Sequence, residues 1–231
     1  ENIREYSGFE NAITVQKLDT SSGTLAISNV TFKNNSGEAV IRSSGTVTLS
    51  SVTFNGNSAG VDVANDGTLD IEGTTTTLEK GITGAGNTRI SSGTLINVTG
   101  STIRQTSIEV AGALINENEN AKAIEATDRI DVEETGYIET NASAIGAASG
   151  IANEGTVTFT GGTNTNKMRG SGDLLIEGEV ENAADIEQNR VEVRSGKLIN
   201  DESKTVTTEE VENKAEIVNI GIIEASAITN K

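Results

Sequence analysis

The amino-acid sequence predicts an all-β fold, a single-stranded right-handed parallel β-helix (solenoid) with roughly 22 residues per rung and about ten rungs. Three observations predict it: a turn-and-strand unit that recurs, apolar residues that alternate in short strands, and the absence of Pro. Proline cannot donate to a strand ladder, so its absence is typical of a chain made of internal paired strands. We expect one domain, residues 1–231, with an N-terminal rung or cap at 1–20, regular rungs at 21–90 and less regular rungs after.

The recurring unit is a glycine followed by alternating apolar residues. Residues 22–27 (SGTLAI), 44–49 (SGTVTL) and 66–71 (DGTLDI) share it, and their glycines are 22 positions apart. The same spacing aligns Leu25 with Val47, Val30 with Val52, Phe32 with Phe54, Asn35 with Asn57 and Ile41 with Val63. We therefore predict that these residues stack in ladders, apolar inside and Asn or Thr near the corners.

Looser copies of the unit follow along the chain. They contain Gly93, Gly112, Gly136, Gly155, Gly172, Gly196 and Gly221. Their spacing varies from 17 to 26 residues, which indicates longer corners in several rungs, notably Thr74–Thr88 and Glu117–Arg129. Because loops commonly carry function, we expect binding to concentrate in those two corners.

Two groups of motifs resemble a known family. Phe32-Lys33-Asn34-Asn35 and Phe54-Asn55-Gly56-Asn57 resemble the FxxN motif of chlamydial polymorphic membrane proteins, and residues 37–40 (GEAV) resemble the accompanying GGA(I/L/V) motif. Residues 93–97 and 216–224 are similar to the glycine, isoleucine and asparagine repeats of autotransporter passengers in general. The resemblance implies a non-enzymatic adhesin on the bacterial cell surface, and a host or neighbouring cell surface as partner. Equal spacing places Thr76 in the phenylalanine column of the third rung.

Composition restricts the chemistry that the chain can perform. It has no His and no Cys, which excludes Ser-His-Asp, Cys-His and HExxH sites. The net charge of −17 disfavours nucleic acid as a partner, and no stretch approaches the roughly 20 apolar residues that insert in a membrane. We predict no catalytic, cofactor-binding or metal-binding residues, no cofactor, and a chain that is not an enzyme.

Two chemical alternatives stay open at this point. Polysaccharide lyases and glycosidases also use β-helices, and Asp62, Asp66 and Asp70 are near enough in sequence to cluster, although no Trp is present to stack on sugars. Calcium needs several oxygen ligands, and Asp128–Glu134 and Glu209–Glu212 are rich in carboxylates. Strand alternation would place Asp131 and Glu133 of the first segment on one face.

The ends of a solenoid expose unpaired backbone groups, a template for further pairing. The segment Ile220–Ile228 stays apolar almost to the last residue, and the chain opens at Glu1 without Met. We consider an excised part of a longer adhesin first. The second hypothesis is a subunit that binds copies of itself head to tail in an extracellular filament. A secreted enzyme with an unrecognised cap is the third.

Overall fold

A computed structural model describes residues 4–9, 13–15 and 23–231 of the chain. Every strand pairing in these ranges is parallel. One 3-10 turn, Ala142–Ala144, is the helical element of the described chain. The fold is a parallel β-solenoid of about 11 rungs, which confirms the predicted fold class.

The strands are short because each crosses only one or two faces of the solenoid. In chain order they are β1 Arg4–Ser7, β2 Ile13–Val15, β3 Thr24–Lys33, β4 Ala39–Ser43, β5 Thr46–Asn55, β6 Val61–Asn65, β7 Thr68–Glu72, β8 Thr75–Leu78, β9 Gly81–Thr83, β10 Asn87–Ile90, β11 Thr94–Asn97, β12 Thr102–Gln105, β13 Ser107–Val110, β14 Ala113–Asn116, β15 Ile124–Ala126, β16 Ile130–Val132, β17 Tyr137–Thr140, β18 Ile145–Ala147, β19 Ile151–Asn153, β20 Thr156–Phe159, β21 Gly162–Asn164, β22 Met168–Arg169, β23 Asp173–Ile176, β24 Glu179–Asn182, β25 Ile186–Val193, β26 Lys197–Asn200, β27 Thr205–Asn213, β28 Glu216–Asn219 and β29 Ile222–Asn230.

Each rung passes through three faces in turn. The first face contains β7, β10, β13, β16, β19, β22 and the first halves of the long strands β3, β5, β25, β27 and β29. The second face contains β1, β8, β11, β14, β17, β20, β23 and the second halves of the same long strands. These two faces join in one 18-stranded sheet because long strands run through the corner between them. The third face is a seven-stranded sheet, β2 to β18, followed by a four-stranded sheet, β21 to β28.

The predicted N-terminal rung at 1–20 falls partly on described residues. β1 pairs with the second half of β3, and β2 pairs with β4, so these two strands continue the second and third faces. Residues 1–3, 10–12 and 16–20 of that prediction lie outside the described ranges. Among the described residues, no helix is long and apolar enough to cross a membrane.

The predicted columns are confirmed in the first rungs. Thr24 pairs with Thr46 and Thr46 with Thr68, each 22 residues apart. The rings of Phe32 and Phe54 stack with centroids 5.2 Å apart and planes inclined by 14°. Both rings are buried, so this pair belongs to the core. The confirmed neighbours are Leu25 and Val47, Val30 and Val52, and Ile41 and Val63.

The predicted place of Thr76 in the phenylalanine column is wrong. Thr53 pairs with Thr77, a separation of 24 residues, so the register has moved by two positions and Leu78 follows Phe54 in the column. Leu78 is fully buried, as an inward residue should be. The two additional residues are accommodated at the corner near Gly73, which has a φ of +79°. The core keeps its column because the corner absorbs the change in length.

The later glycine copies do not form one column, contrary to the simplest interpretation of the repeat. Gly67 lies before the first face, Gly93 before the second and Gly196 before the third. At each corner a Cβ would lie within 2.0 to 2.4 Å of the carbonyl oxygen of a glycine one rung earlier. Glycine is therefore required wherever two corner backbones approach closely. The spacing of 17 to 26 residues joins glycines that belong to three different corners, so it does not measure the length of a rung. Paired residues measure it: Ile151 and Met168 are 17 positions apart, and other pairs are up to 28 apart.

Of the two predicted long corners, one is wrong. Thr74–Thr88 contains β8, β9 and the start of β10, so it is mostly strand. Glu117–Arg129 does include a long connection, which ends where β15 begins at Ile124. No residue of Thr74–Thr88 lines the trough described below, whereas Arg129, at the end of the second segment, does.

Asparagine ladders line two corners, as predicted. Asn164, Asn182, Asn200 and Asn219 form the longest, in which each side-chain Nδ2 donates to Oδ1 of the amide in the next rung over 2.9 Å. The first three of these side chains are fully buried. A second ladder runs from Asn97 to Asn116 and Thr140. Asn35 and Asn57 form a third pair, with Nδ2 to Oδ1 of 3.0 Å.

Candidate binding surface

The structure does not bring together the three aspartates that were considered for glycoside hydrolysis. Asp62 lies on the third face, Asp66 at the corner after it and Asp70 on the first face. Their carboxylates have separate partners. Asp66 Oδ1 accepts a hydrogen bond from the backbone N–H of Ala85 at 3.0 Å, and Asp70 accepts one from the hydroxyl of Ser91. Each of these aspartates therefore makes hydrogen bonds within its own part of the solenoid, and the three do not form a shared site.

Asp62 is a buried carboxylate that holds the next rung. Its Oδ2 accepts hydrogen bonds from three successive backbone N–H groups, of Glu79 at 2.7 Å, Lys80 at 2.8 Å and Gly81 at 3.0 Å. Oδ1 has no hydrogen-bond partner. Burial raises the pKa of Asp62 to about 6, although the three N–H groups act in the opposite direction. This arrangement satisfies backbone donors at the start of β9, so its role is structural.

Two of the carboxylates considered for calcium, Asp131 and Glu133, are paired with basic side chains. Asp131 Oδ2 is 2.7 Å from Nε of Arg129, and Glu133 Oε1 is 3.7 Å from Nη2 of Arg89. Within the described ranges, no three His, Cys, Asp or Glu side chains group where they could hold a metal ion. The predicted neighbourhood of Asp131 and Glu133 is thus a set of ion pairs on an open surface.

Glu212, in the second acidic segment, belongs to a charge network on the second face. The side chain of Glu192 is 3% exposed and contacts Arg190, Arg194 and Lys214, with 2.6 Å to the Lys214 Nζ. Burial alone would raise the pKa of Glu192, but the hydrogen bonds from Lys214 and Arg190 outweigh it and lower the pKa to about 2. Glu212, one rung later, pairs with Lys214. The network neutralises carboxylates that strand alternation stacks in successive rungs.

A column of outward residues runs along the first face, and most of them are charged. We call it the first-face column. In rung order it contains Asp70, Arg89, Glu109, Asp131, Ala152, Arg169, Glu187 and Thr207. Alternate residues of a strand point outward and rungs are about 4.8 Å apart, so neighbours in this column can interact directly.

Along the early part of the column, Glu109 of the column and Glu133 beside it place two carboxyl groups next to one arginine. Arg89 Nε is 2.8 Å from Glu109 Oε1. A hydrogen bond with Glu133 and partial burial raise the pKa of Glu109, against the effect of Arg89. All three side chains remain between 38% and 48% exposed. Sequence reasoning missed this group because its members are 20 and 24 residues apart, whereas the clear repeat was 22.

The middle of the first face carries a trough with basic walls. Gly150 and Ala152 form its floor, because glycine has no side chain and alanine has only a methyl group, which leaves one rung without bulk on its outer surface. Arg129 of the preceding rung and Lys167 and Arg169 of the following rung form the walls around a volume of about 250 Å³. We call this feature the basic trough. Its residues are separated by 21 and 17 positions, so the sequence repeat did not indicate it.

Comparison of the chain with protein-family models, with curated proteins and with solved structures found no match. The resemblance of the FxxN and glycine-rich motifs to autotransporter passengers therefore stays a prediction.

Proposed function

We propose that this chain is a non-enzymatic structural and adhesive element of an extracellular surface, similar to the passengers of bacterial autotransporters. The observation that carries the proposal is the uninterrupted stack of about 11 parallel rungs. At about 4.8 Å per rung, such a stack is a rod on the order of 50 Å long. A rod of this kind holds outward side chains at fixed intervals, which suits contact with an extended surface.

The distribution of side chains supports an exposed role for the outer faces. The core is one continuous file of buried aliphatic and aromatic residues. Charged residues occupy the outward positions, and many are neutralised by partners one rung away, as Arg89 is by Glu109 and Arg194 by Glu177. The excess of acidic groups, 34 against 17 basic ones, keeps a rod soluble and disfavours polyanionic partners.

Adhesion is tested by coating fluorescent beads with the purified chain and counting the beads that remain on a layer of epithelial cells or of bacteria after washing. We expect retention above that of beads coated with an unrelated protein of similar mass and charge. Retention equal to that of the control beads on every cell layer would contradict the adhesive role.

A depolymerisation assay that follows new reducing ends in polysaccharides tests the enzymatic alternative. Glu109→Gln should abolish any such activity if the carboxyl pair were catalytic.

A second candidate function is a subunit of an extracellular filament, in which copies stack end to end. The observation that favours it is the exposure of apolar side chains in the last described rung. Ile220, Ile222 and Ile228 are 51% to 62% exposed there. Asn219 and Asn230 end their amide ladders with exposed side chains. Sedimentation of the purified chain distinguishes the two functions, because a filament subunit forms polymers in dilute buffer and an adhesive monomer does not.

A further inference from the structure

We propose that the basic trough binds a single acidic sugar unit, whose carboxylate or sulfate group is held between Arg129 and Arg169. This inference goes beyond the proposed adhesive function, and it holds or fails independently of it. It assigns a ligand class to one place on the first face.

The trough concentrates positive charge on a chain that is otherwise acidic. Arg129, Lys167 and Arg169 line it, and the chain as a whole has a net charge of −17. Lys167 has no carboxylate within 4.0 Å in the described part of the chain. Arg169 approaches a carboxylate only at 3.9 Å, from its Nε to Glu187, and its side chain is 73% exposed. Two of the three cations are therefore free to bind an external anion.

The third cation also keeps donors for a ligand. Arg129 uses Nε for Asp131, at 2.7 Å, while its side chain stays 60% exposed. A guanidinium has five N–H donors in one plane, so the two terminal nitrogens remain available. Arginine binds carboxylate and sulfate oxygens through pairs of such donors, which gives direction as well as attraction.

The shape of the trough follows from the residue columns. Arg129, Gly150 and Lys167 occupy corresponding positions in three successive rungs, as the backbone hydrogen bonds from Ile130 to Gly150 and from Ile151 to Lys167 indicate. The flanking rungs are two spacings apart, about 10 Å, which admits one ring-sized group.

The two floor residues have different origins. Gly150 has a φ of +94°, and a Cβ there would lie 2.6 Å from the carbonyl oxygen of Lys167, so the backbone itself requires glycine. Ala152 lies on β19 in the first-face column, between Asp131 and Arg169, and it is exposed. At this position strand pairing does not demand a small side chain. The trough is deep enough for a ligand only because both residues are small.

The rim favours a ligand with hydroxyl groups as well as an anionic group. Asp131 and Glu187 lie beside the arginines and can accept hydrogen bonds from hydroxyls. Asp128 holds the Ser149 hydroxyl at 2.9 Å on the near edge, and Asp185 accepts a hydrogen bond from the backbone N–H of Thr205 beyond the far edge. These carboxylates repel a long polyanion. A sugar ring with a single acid group matches both kinds of partner, because its anionic group pairs with the arginines and its hydroxyls donate to the carboxylates.

Binding is tested by following the backbone amide resonances of the full chain while glucuronate, glucose 6-sulfate, glucose or inorganic sulfate is added. We expect glucuronate or glucose 6-sulfate to shift the amides of 149–152 and 167–169 with a Kd on the order of 1 mM, and glucose to leave them unchanged. Inorganic sulfate should bind at least several-fold more weakly than the acidic sugars. Equal binding of inorganic sulfate would overturn the assignment to a sugar.

Two variants and one control locate the site. Arg129→Gln combined with Arg169→Gln should weaken the binding of the acidic sugars at least about tenfold. Ala152→Gln should weaken it as much by filling the trough while every charge is retained. Arg104→Gln is the matched control, because Arg104 is also 60% exposed and pairs with Glu125 on the third face. Unchanged affinity in both trough variants, or equal loss in the control, would overturn the proposal, and circular dichroism verifies that each variant is folded.

Discussion

At the scale of single residues, side chains supply hydrogen-bond partners where the backbone of the solenoid turns. Asp62 is the clearest case, because its Oδ2 alone accepts from three successive N–H groups at the start of β9. Without that acceptor, the buried N–H of Gly81 would lose its partner, at a cost of about 1 to 3 kcal/mol, and the two part-buried donors would lose theirs. The same carboxylate is expensive to ionise, because it is buried and Oδ1 has no partner.

We expect the ionisation of Asp62 to lower stability as the pH rises. Burial raises its pKa from 3.8 to about 6. A raised pKa means that the contribution to stability is fully present below pH 3.8 and is lost as the pH rises through about 6. The difference corresponds to about 3 kcal/mol. The measurement is the free energy of unfolding in urea at pH 4 and at pH 7, for the natural chain and for Asp62→Asn.

The amide of Asp62→Asn keeps an oxygen that can accept the three hydrogen bonds, but it does not titrate. The variant should therefore lose less stability than the natural chain between pH 4 and pH 7. Glu192, whose pKa is lowered from 4.5 to about 2, also changes stability below about pH 5, but it contributes equally to both proteins and cancels in the comparison. Parallel pH profiles for the two proteins would contradict the expectation, whatever their absolute stabilities.

At the scale of the structural element, the asparagine ladder joins the strands of the third face. Asn182 donates from Nδ2 to Asn200 Oδ1 and to the carbonyl oxygen of Ala184, at 2.9 and 2.7 Å, and accepts from Asn164 at 2.9 Å. All of these groups are inside the solenoid, where an unpaired amide is costly. The ladder thus fixes the register of β21, β24 and β26 and stabilises their pairing.

Removing one amide from the middle of the ladder should cost more than removing the last one. We expect Asn182→Ala to lower the free energy of unfolding by about 2 to 4 kcal/mol, because it leaves buried partners in two neighbouring rungs unsatisfied. Asn219→Ala is the control and should cost less than about 1 kcal/mol, because Asn219 is exposed and has one ladder neighbour. Urea unfolding of both variants is the measurement. Equal losses would show that the ladder adds nothing at the buried position.

The sequence predicted the elements better than their lengths. Stacking of Phe32 on Phe54 followed from a constant spacing of 22, because both rungs have corners of equal length. The position of Thr76 was predicted wrongly because the next corner is longer. The apolar alternation of the strands does not reveal how many residues a corner contains. Lengthening a loop costs little free energy. Corner lengths can therefore drift while the core column persists, as Leu78 does above Phe54.

The candidate surface was less predictable than the fold for the same reason. Its residues are adjacent only across rungs, so their proximity depends on the length of each rung. Arg129 and Lys167 are separated by 38 positions, and an assumed spacing of 22 would assign them to unrelated columns. Asp62, Asp66 and Asp70 are near in sequence but lie at a face, a corner and another face. Sequence proximity is a poor guide in a solenoid, where neighbours are one rung apart.

At the scale of the whole molecule, the solenoid is a linear stack in which each rung is stabilised by the rungs on both sides. The final described rung has a partner on one side. Ile217 and Ile228 stand over Leu198 and Val211 in the inward columns, yet Ile228 is 61% exposed. The opposite end starts with β1 and β2, which run parallel to the strands above them. Head-to-tail association of copies would continue this parallel pairing from one chain into the next.

In a filament, copies of the chain would stack through this last described rung. If they do, the weight-average mass in sedimentation should rise with protein concentration, because burying Ile228 against a second copy removes apolar surface from water. Ile228→Lys should then keep the protein monomeric, since it would place a charge inside the joined core. Ala227→Lys is the matched control on the same strand: Ala227 continues the outward position of Glu210, so its side chain would remain in solvent after stacking. A mass that stays constant with concentration in the natural chain would exclude the filament and leave the adhesive monomer. A loss of association in both lysine variants would show that general charge, and not the open core, controls it.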